Sequence, residues 1–305
     1  RQVQPHGFTH AALGPAPAIY VLNGLGSGED GVFQANGLAP VLNDLGEIAA
    51  WSACARASGQ RLAAILHFDT GMSRLGLGPA EASRLEAEPE RVADLALDYV
   101  MSHLVVSEDA DQPINAAQLA EFRARRAAWP LVRASLVNSS GIFLGPEYRF
   151  DLVRAGAALY GVNPLARRPN PQVGVARLEA KILQIRAVDP PRSVGYGATF
   201  RVTRPTRIAT VALGYADGFL RSLSNRGHAY CGDIRVPIVG RVSMDLLTLD
   251  VTPAPAARPG DWVELIGPHL PVDEVADAAG TNAYEVLVRL GPRPERVYVG
   301  DRAAP

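Results

Sequence analysis

Short apolar runs punctuate the first half of the chain, and each ends in a polar or glycine-containing stretch. The runs are "AIYVLNG" (18–24), "LAAILHFD" (62–69), "LDYVMSHLVV" (97–106), "RASLVNS" (133–139) and "DLVRAGAALYG" (151–161). Between them, segments such as "EASRLEAEPERVADL" and "NAAQLAEFRARRAAW" read as helices. Strands recurring roughly every 30–40 residues with helices between them predict parallel βα units, in a barrel or a doubly wound sheet. A barrel keeps its active site at the carboxyl ends of its strands, where the polar residues of these runs fall.

The texture changes after "NPLARRPNPQ" (163–172), a Pro/Arg-rich linker. "VARLEAKILQIRAV", "TRIATVALGY", "IRVPIVGRVSMDLLTLDV" and "GDWVELIG" are β-branched runs divided by Gly, Pro and Asp, which predicts a mostly antiparallel β-domain. Short helices are expected at "VDEVADAAG" and "NAYEVLVRL". The expected division is a partial α/β barrel over 1–165 and a β-domain over 172–305.

Composition narrows the function classes. A net charge of −1 gives no reason to expect nucleic acid or an anionic membrane as partner. No apolar run approaches the roughly 18–20 residues that span a bilayer. Two cysteines, Cys54 and Cys231, make no disulfide framework, so a cytoplasmic protein is expected. The 30 basic residues include one lysine, Lys181 in "LEAKILQ", so any lysine chemistry raises the question of whether Lys181 performs it.

Several local clusters could carry chemistry. "HFDTGMSRLGL" (67–77) sets Asp69, Thr70, Gly71 and Arg74 directly after a strand, where glycine lets backbone approach a ligand and Arg74 can bind an oxygen anion. An ordinary strand-to-helix turn would read the same. His103 lies in "SHLVVSED" (102–109), where a core histidine is the alternative, and "LVNSSG" (136–141) ends a strand in Asn138, Ser139 and Ser140. Such strand-end loops recur as phosphate cradles, although a helix N-cap uses the same residues. "SVGYGATF" (193–200), "VALGYADGF" (211–219) and "VGRVSMD" (239–245) are glycine turns, two of them presenting a tyrosine. Hairpin chemistry alone would also explain them.

Taken in order, "IYVLNGL", "DTGMSRLGL", "VNSSG", "DLVRAGAALYG", "GYGATF", "GYADGF", "GRVSMD" and "NAYEV" resemble alanine racemase over nearly the whole chain. The resemblance implies an incomplete pyridoxal 5'-phosphate-binding (βα)8 TIM-like barrel followed by a C-terminal β-domain. It further implies interconversion of L- and D-alanine through a cofactor aldimine by two bases, supplying D-alanine for peptidoglycan. The implied catalytic residues are Tyr196, His103 and Arg154, with Tyr196 reaching the partner subunit of a head-to-tail homodimer. Arg154 would face the pyridine nitrogen. The phosphate would be held by Ser139, the backbone near Gly156 and Tyr284, with Asn138 beside them. Arg74 would contact the cofactor's phenolic oxygen and the substrate carboxylate, while Tyr215 and Met244 bound a small substrate pocket. No metal is implied.

The sequence departs from the family in two places. Many members carry a carbamylated lysine where His67 stands, and histidine cannot form that carbamate. The family also opens with a lysine-bearing "KANAYGHG"-like strand that is not found here, and residues 1–17 match no family stretch. About six of the eight barrel strands are therefore expected, with on the order of 60–80 residues lacking at the front, and the chain alone is expected to be inactive and either poorly soluble or in need of a partner. Lys181 is expected on the surface of a β-domain strand, away from the chemistry. A broad-specificity racemase of the same fold and a non-catalytic cofactor-binding remnant are the alternative readings.

Overall fold

The computed structural model describes residues 17–165 and 167–300. Tertiary contacts divide them into two units: one holds the residues up to 156 and 164–168, the other residues 157–163 and those from 169 on.

The first unit is a parallel sheet of five strands in sequential order: β1 (Ile19–Val21), β2 (Leu38–Leu42), β3 (Leu62–His67), β4 (Leu95–Met101) and β5 (Arg133–Ser135). Helices α1 (Asp30–Ala35), α2 (Leu45–Ser58), α3 (Pro79–Ala87) and α4 (Pro113–Arg126) follow β1 to β4 in turn. Strand residues alternate between two faces, as extended backbone requires. Leu42, Ala64, Leu66, Val100 and Ala134 pack against helix residues such as Ile48, Trp51, Leu85 and Phe122 in one core. Val41, Ile65, Tyr99 and Met101 form a second, smaller core on the opposite face, with Tyr20 and Leu152 against it. The sequence signals its helix boundaries well. Asp44 caps α2 by accepting the Glu47 N–H at 2.7 Å, Glu47 reaches back to the Asn43 N–H at 2.8 Å, and Gly59 ends the helix at φ 65°.

Two expectations need correction here. The run 151–161 forms no strand; it makes one isolated parallel bridge, Asn138 with Arg154, and then a 3₁₀ turn at Ala157–Tyr160. The strand β2, "LAPVL", was not expected from the pattern. One expected strand is lost and one unexpected strand gained, and the described sheet has five strands against the about six expected.

The second unit is a six-stranded sheet in which every pair is antiparallel, ordered β11–β10–β13–β6–β9–β12. The strands are β6 (Leu178–Val188), β9 (Thr206–Val211), β10 (His228–Cys231), β11 (Ile234–Pro237), β12 (Leu247–Asp250) and β13 (Trp262–Ile266), with a separate hairpin β7 (Ser193–Val194) and β8 (Phe200–Arg201). Helices α5 (Val272–Ala279) and α6 (Ala283–Arg289) bury Val272, Val275, Ala276 and Val286 against this sheet. The alternation in "LEAKI" buries Leu178, Ala180 and Ile182 and turns Lys181 outward, where its Nζ lies 4.9 Å from the Trp262 ring centre. Among the described residues no helix is long and apolar enough to cross a membrane.

Candidate active site

The polar residues of the first unit gather at the carboxyl ends of its parallel strands. Asn43 follows β2, His67 ends β3, Ser102 and His103 follow β4, and residues 136–139 follow β5. His103 therefore stands just past its strand rather than within it.

Arg154 is the centre of this group. The bridge to Asn138 brings it beside β5, and its guanidinium is largely buried. One nitrogen donates to Ser135 Oγ at 2.6 Å. The other donates to the carbonyls of Ser102 at 2.7 Å and Leu136 at 3.1 Å, and lies 3.4 Å from His103 Nδ1. No carboxylate pairs with it among the described residues. Burial pulls its pKa down to about 10, so it still carries its charge at neutral pH. A half-buried cation held by carbonyl dipoles and a hydroxyl, with no carboxylate partner, favours an electron-rich or anionic partner.

Two neutral imidazoles flank it. His103 is lowered to about 4 by burial first, then by the charges of Arg154 and Arg74. His67 is lowered to about 4 by burial, then chiefly by Arg154 and His103. The Asn43 amide nitrogen donates to the Val41 carbonyl at 2.9 Å, which leaves its oxygen to accept from His67 Nδ1 at 2.8 Å. That network places the His67 proton on Nδ1.

Arg74 sits at the tip of a loop built for it. Asp69 Oδ1 accepts the N–H groups of Gly71, Met72 and Ser73 at 2.9, 2.9 and 3.1 Å, and Leu77 N–H returns to the His67 carbonyl at 2.7 Å. Gly76 closes the loop at φ +107°, where a Cβ would lie 2.8 Å from Asp69 N. Arg74 is exposed and forms no ion pair among the described residues. Beneath the loop, Gln118 joins Thr70 Oγ1 at 3.3 Å, the His103 carbonyl at 3.0 Å and the Val105 N–H at 3.0 Å, and Thr70 meets Ser102 at 2.7 Å.

On the other side of Arg154, Ser139 Oγ accepts the Gly156 N–H at 2.9 Å. Asn138 uses its amide oxygen on Ser107 Oγ at 2.8 Å and Gly141 N–H at 3.0 Å, so it orders the loop. The structure thus brings together His103, Arg154, Asn138, Ser139 and Gly156, with Arg74 above them. The supporting serines at 102 and 135, with Asn43 and Gln118, were not anticipated. Single polar residues in or just after apolar strands, or on a helix, carry no motif, and only the observation that a buried polar group needs a partner could have singled them out.

Tyr196, Tyr215, Met244 and Tyr284 belong to the second unit. Tyr196 is 72% exposed on a turn between Gly195 and Gly197, at φ 75° and 72°, and its hydroxyl has no partner among the described residues. Tyr215 and Met244 lie on adjoining loops: Tyr215 N–H donates to the Ser243 carbonyl at 3.0 Å and Ala216 N–H to the Met244 carbonyl at 2.9 Å. The Met244 N–H is unused among the described residues. Tyr284 stands in the first turn of α6, which Asn282 caps.

Residues 7–164 match the family model of the alanine racemase N-terminal domain, and residues 175–298 that of the alanine racemase C-terminal domain. The first match begins within the stretch expected to match nothing. The chain is similar to the alanine racemase of Rhodospirillum rubrum, 50% identical over 292 residues, covering 94% of this chain and 78% of that protein. An alanine racemase of Acidiphilium cryptum is 49% identical over 286 residues, covering 94% and 80%. Among solved structures, alanine racemase from Bartonella henselae with covalently bound pyridoxal phosphate matches with a TM-score of 0.91 at 40% identity, covering 95% of this chain and 81% of that one. The biosynthetic alanine racemase from Pseudomonas aeruginosa matches at 0.85 and 34% identity, with 95% and 81% covered.

Proposed function

The chain belongs to the alanine racemase family of pyridoxal-phosphate-dependent isomerases, and from that premise we propose that it interconverts L- and D-alanine by a two-base mechanism. The observation that carries this reading is Arg154: a half-buried guanidinium held by carbonyls and a serine, with no carboxylate among the described residues, flanked by neutral His103. Its environment fits an aromatic nitrogen acceptor and a phosphate nearby.

Pyridoxal phosphate, when bound, supplies an electron-accepting ring that stabilises negative charge at the substrate Cα. Arg154 would hold the ring nitrogen. Because arginine keeps its protons, Arg154 would offer that nitrogen a hydrogen bond and no proton, which would confine the chemistry to proton exchange at Cα. Ser139, the backbone at Gly156 and Tyr284 would hold the phosphate, with Asn138 ordering the loop beneath. Arg74 would bind the cofactor's phenolic oxygen and the substrate carboxylate.

Tyr196 is the base for one face of Cα; the base for the other would be the family's lysine, on the strand not found in this sequence, since Lys181 lies on the β-domain sheet. A phenol with a pKa near ~10 is a weak base at neutral pH unless its phenolate is stabilised. His103 supplies that stabilisation. With Nδ1 turned to an Arg154 N–H, the neutral ring carries its proton on Nε2, which can donate to a phenolate oxygen. The exposure of Tyr196 suits a residue that serves a second copy, so the working form is a head-to-tail homodimer. Tyr215 and Met244 bound a pocket sized for a methyl group. The product D-alanine would supply cell-wall peptide.

The test follows the optical activity of L-alanine, D-alanine, L-serine, L-lysine and L-arginine with pyridoxal phosphate present, in a version of the protein that carries the family's lysine-bearing strand. The reading expects both alanine enantiomers to decay to the racemate, and the other three to do so more slowly. Equal turnover of serine, lysine or arginine would overturn the substrate assignment.

A further inference from the structure

Arg293 lies outside every motif that pointed to the site, yet it joins three segments that carry pocket residues. Its guanidinium meets Asp217 Oδ1 at 3.2 Å and Asp245 Oδ1 at 2.8 Å. Asp217 is nearly buried and lies two residues after Tyr215, and its other oxygen accepts the Gly214 N–H at 2.8 Å. Asp245 directly follows Met244. Arg293 itself follows α6, the helix whose first turn holds Tyr284.

The backbones of these segments already touch at glycines. A Cβ on Gly214 would lie 2.2 Å from the Met244 carbonyl oxygen. One on Gly218, at φ +96°, would lie 1.8 Å from that of Arg289. Gly291 N–H donates to the Asp217 carbonyl at 3.0 Å. Close backbone approach sets which loops adjoin, but two glycine-rich loops can still slide and breathe. A charge fork between carboxylates on both loops fixes their separation, which arginine does better than lysine because its planar donors point in set directions.

We infer that Arg293 is a positioning residue for substrate selection, clamping the Tyr215 loop to the Met244 loop so that the pocket between them stays small. The inference rests on the proposed placement of Tyr215 and Met244 in the substrate pocket. Arg293 and Asp245 are both half exposed, and exposed ion pairs contribute little to global stability. The clamp therefore acts on local order and not on whether the protein folds.

The experiment compares wild type with R293Q, R293K and D245N, the last removing only the surface arm of the fork should R293Q fold poorly. Hydrogen exchange of the ligand-free protein reads the clamp directly. Residues 214–219 and 242–246 should exchange about tenfold faster in R293Q, with the strands unchanged and R293K and D245N intermediate. In the holoenzyme, KM for alanine should rise and the preference for alanine over serine should fall about tenfold in R293Q, with kcat changed less. Unchanged exchange in both loops would overturn the clamp. Faster exchange with unaltered KM and selectivity would instead overturn the placement of Tyr215 and Met244 in the pocket, and with it the role of Arg293 in selection.

Discussion

The two units hold their candidate residues in opposite states. In the parallel unit Arg154, His103, His67, Asn43, Ser102 and Ser135 are buried or half-buried and held by hydrogen bonds within the protein. In the antiparallel unit Tyr196 and Met244 are 72% and 55% exposed, on turns whose own backbones are fixed but whose side chains face outward. One region is prepared by desolvation and hydrogen bonds; the other presents apolar and phenolic groups for something to cover. Rigid preparation suits charge stabilisation, which gains most when the dipoles are already set. Exposed rings on glycine turns suit a lid or a base completed by assembly.

The sharpest way to break the comparison is to change one residue of each kind. In a version that carries the lysine-bearing strand, Tyr196→Phe should lower alanine racemisation by about 10²–10⁴, the usual worth of a general base, without changing thermal stability, because the exposed hydroxyl holds nothing in the fold. Racemisation in both directions must fall together, since the two enantiomers are equal in free energy. Arg154→Lys should cost about 10² in rate, because a single ammonium cannot reach Ser135, Ser102 and Leu136 together. In contrast with the tyrosine change, it should also alter stability, since it strands buried acceptors.

A smaller effect comes from pH. His67 has a folded pKa of about 4, below its ordinary value of 6.5. Above 6.5 both folded and unfolded forms are neutral and the full stability is present. As pH falls from 6.5 towards 4 the unfolded chain takes up the proton first, so stability drops, and below 4 the loss levels off. The drop attributable to His67 is on the order of 3 kcal/mol at most. Urea denaturation of wild type and His67→Gln across that window checks it; parallel curves would refute the assignment. The smallest effect is expected at Lys181. Lys181→Arg should leave alanine racemisation within about twofold of the parent protein, its Nζ lying over the Trp262 ring on the sheet and not at the strand ends.

Much of this contrast was legible in the sequence. Strict alternation in "LEAKI" placed Lys181 on the open face of β6, and the glycines around Tyr196 and Tyr215 announced exposed turns. The strand "LAPVL" escaped because Pro40 argues against a sheet interior, yet β2 pairs on both sides. The run 151–161 was over-read because apolar composition cannot distinguish a strand from a buried loop; there one bridge suffices to deliver Arg154 to the site. The serines that hold Arg154, and the clamp at Arg293, were invisible because each depends on residues far apart in sequence meeting in the fold.

The claim that the parallel unit's own burial and hydrogen bonds keep its imidazoles neutral is tested most directly by nitrogen NMR of ¹⁵N-histidine-labelled protein, titrated from neutral pH downward. The account predicts that His67 and His103 both stay neutral until near pH 4, with the His67 proton on Nδ1, and that Arg154→Gln moves both titrations upward. Two imidazoles titrating near 6.5, indifferent to Arg154, would contradict it.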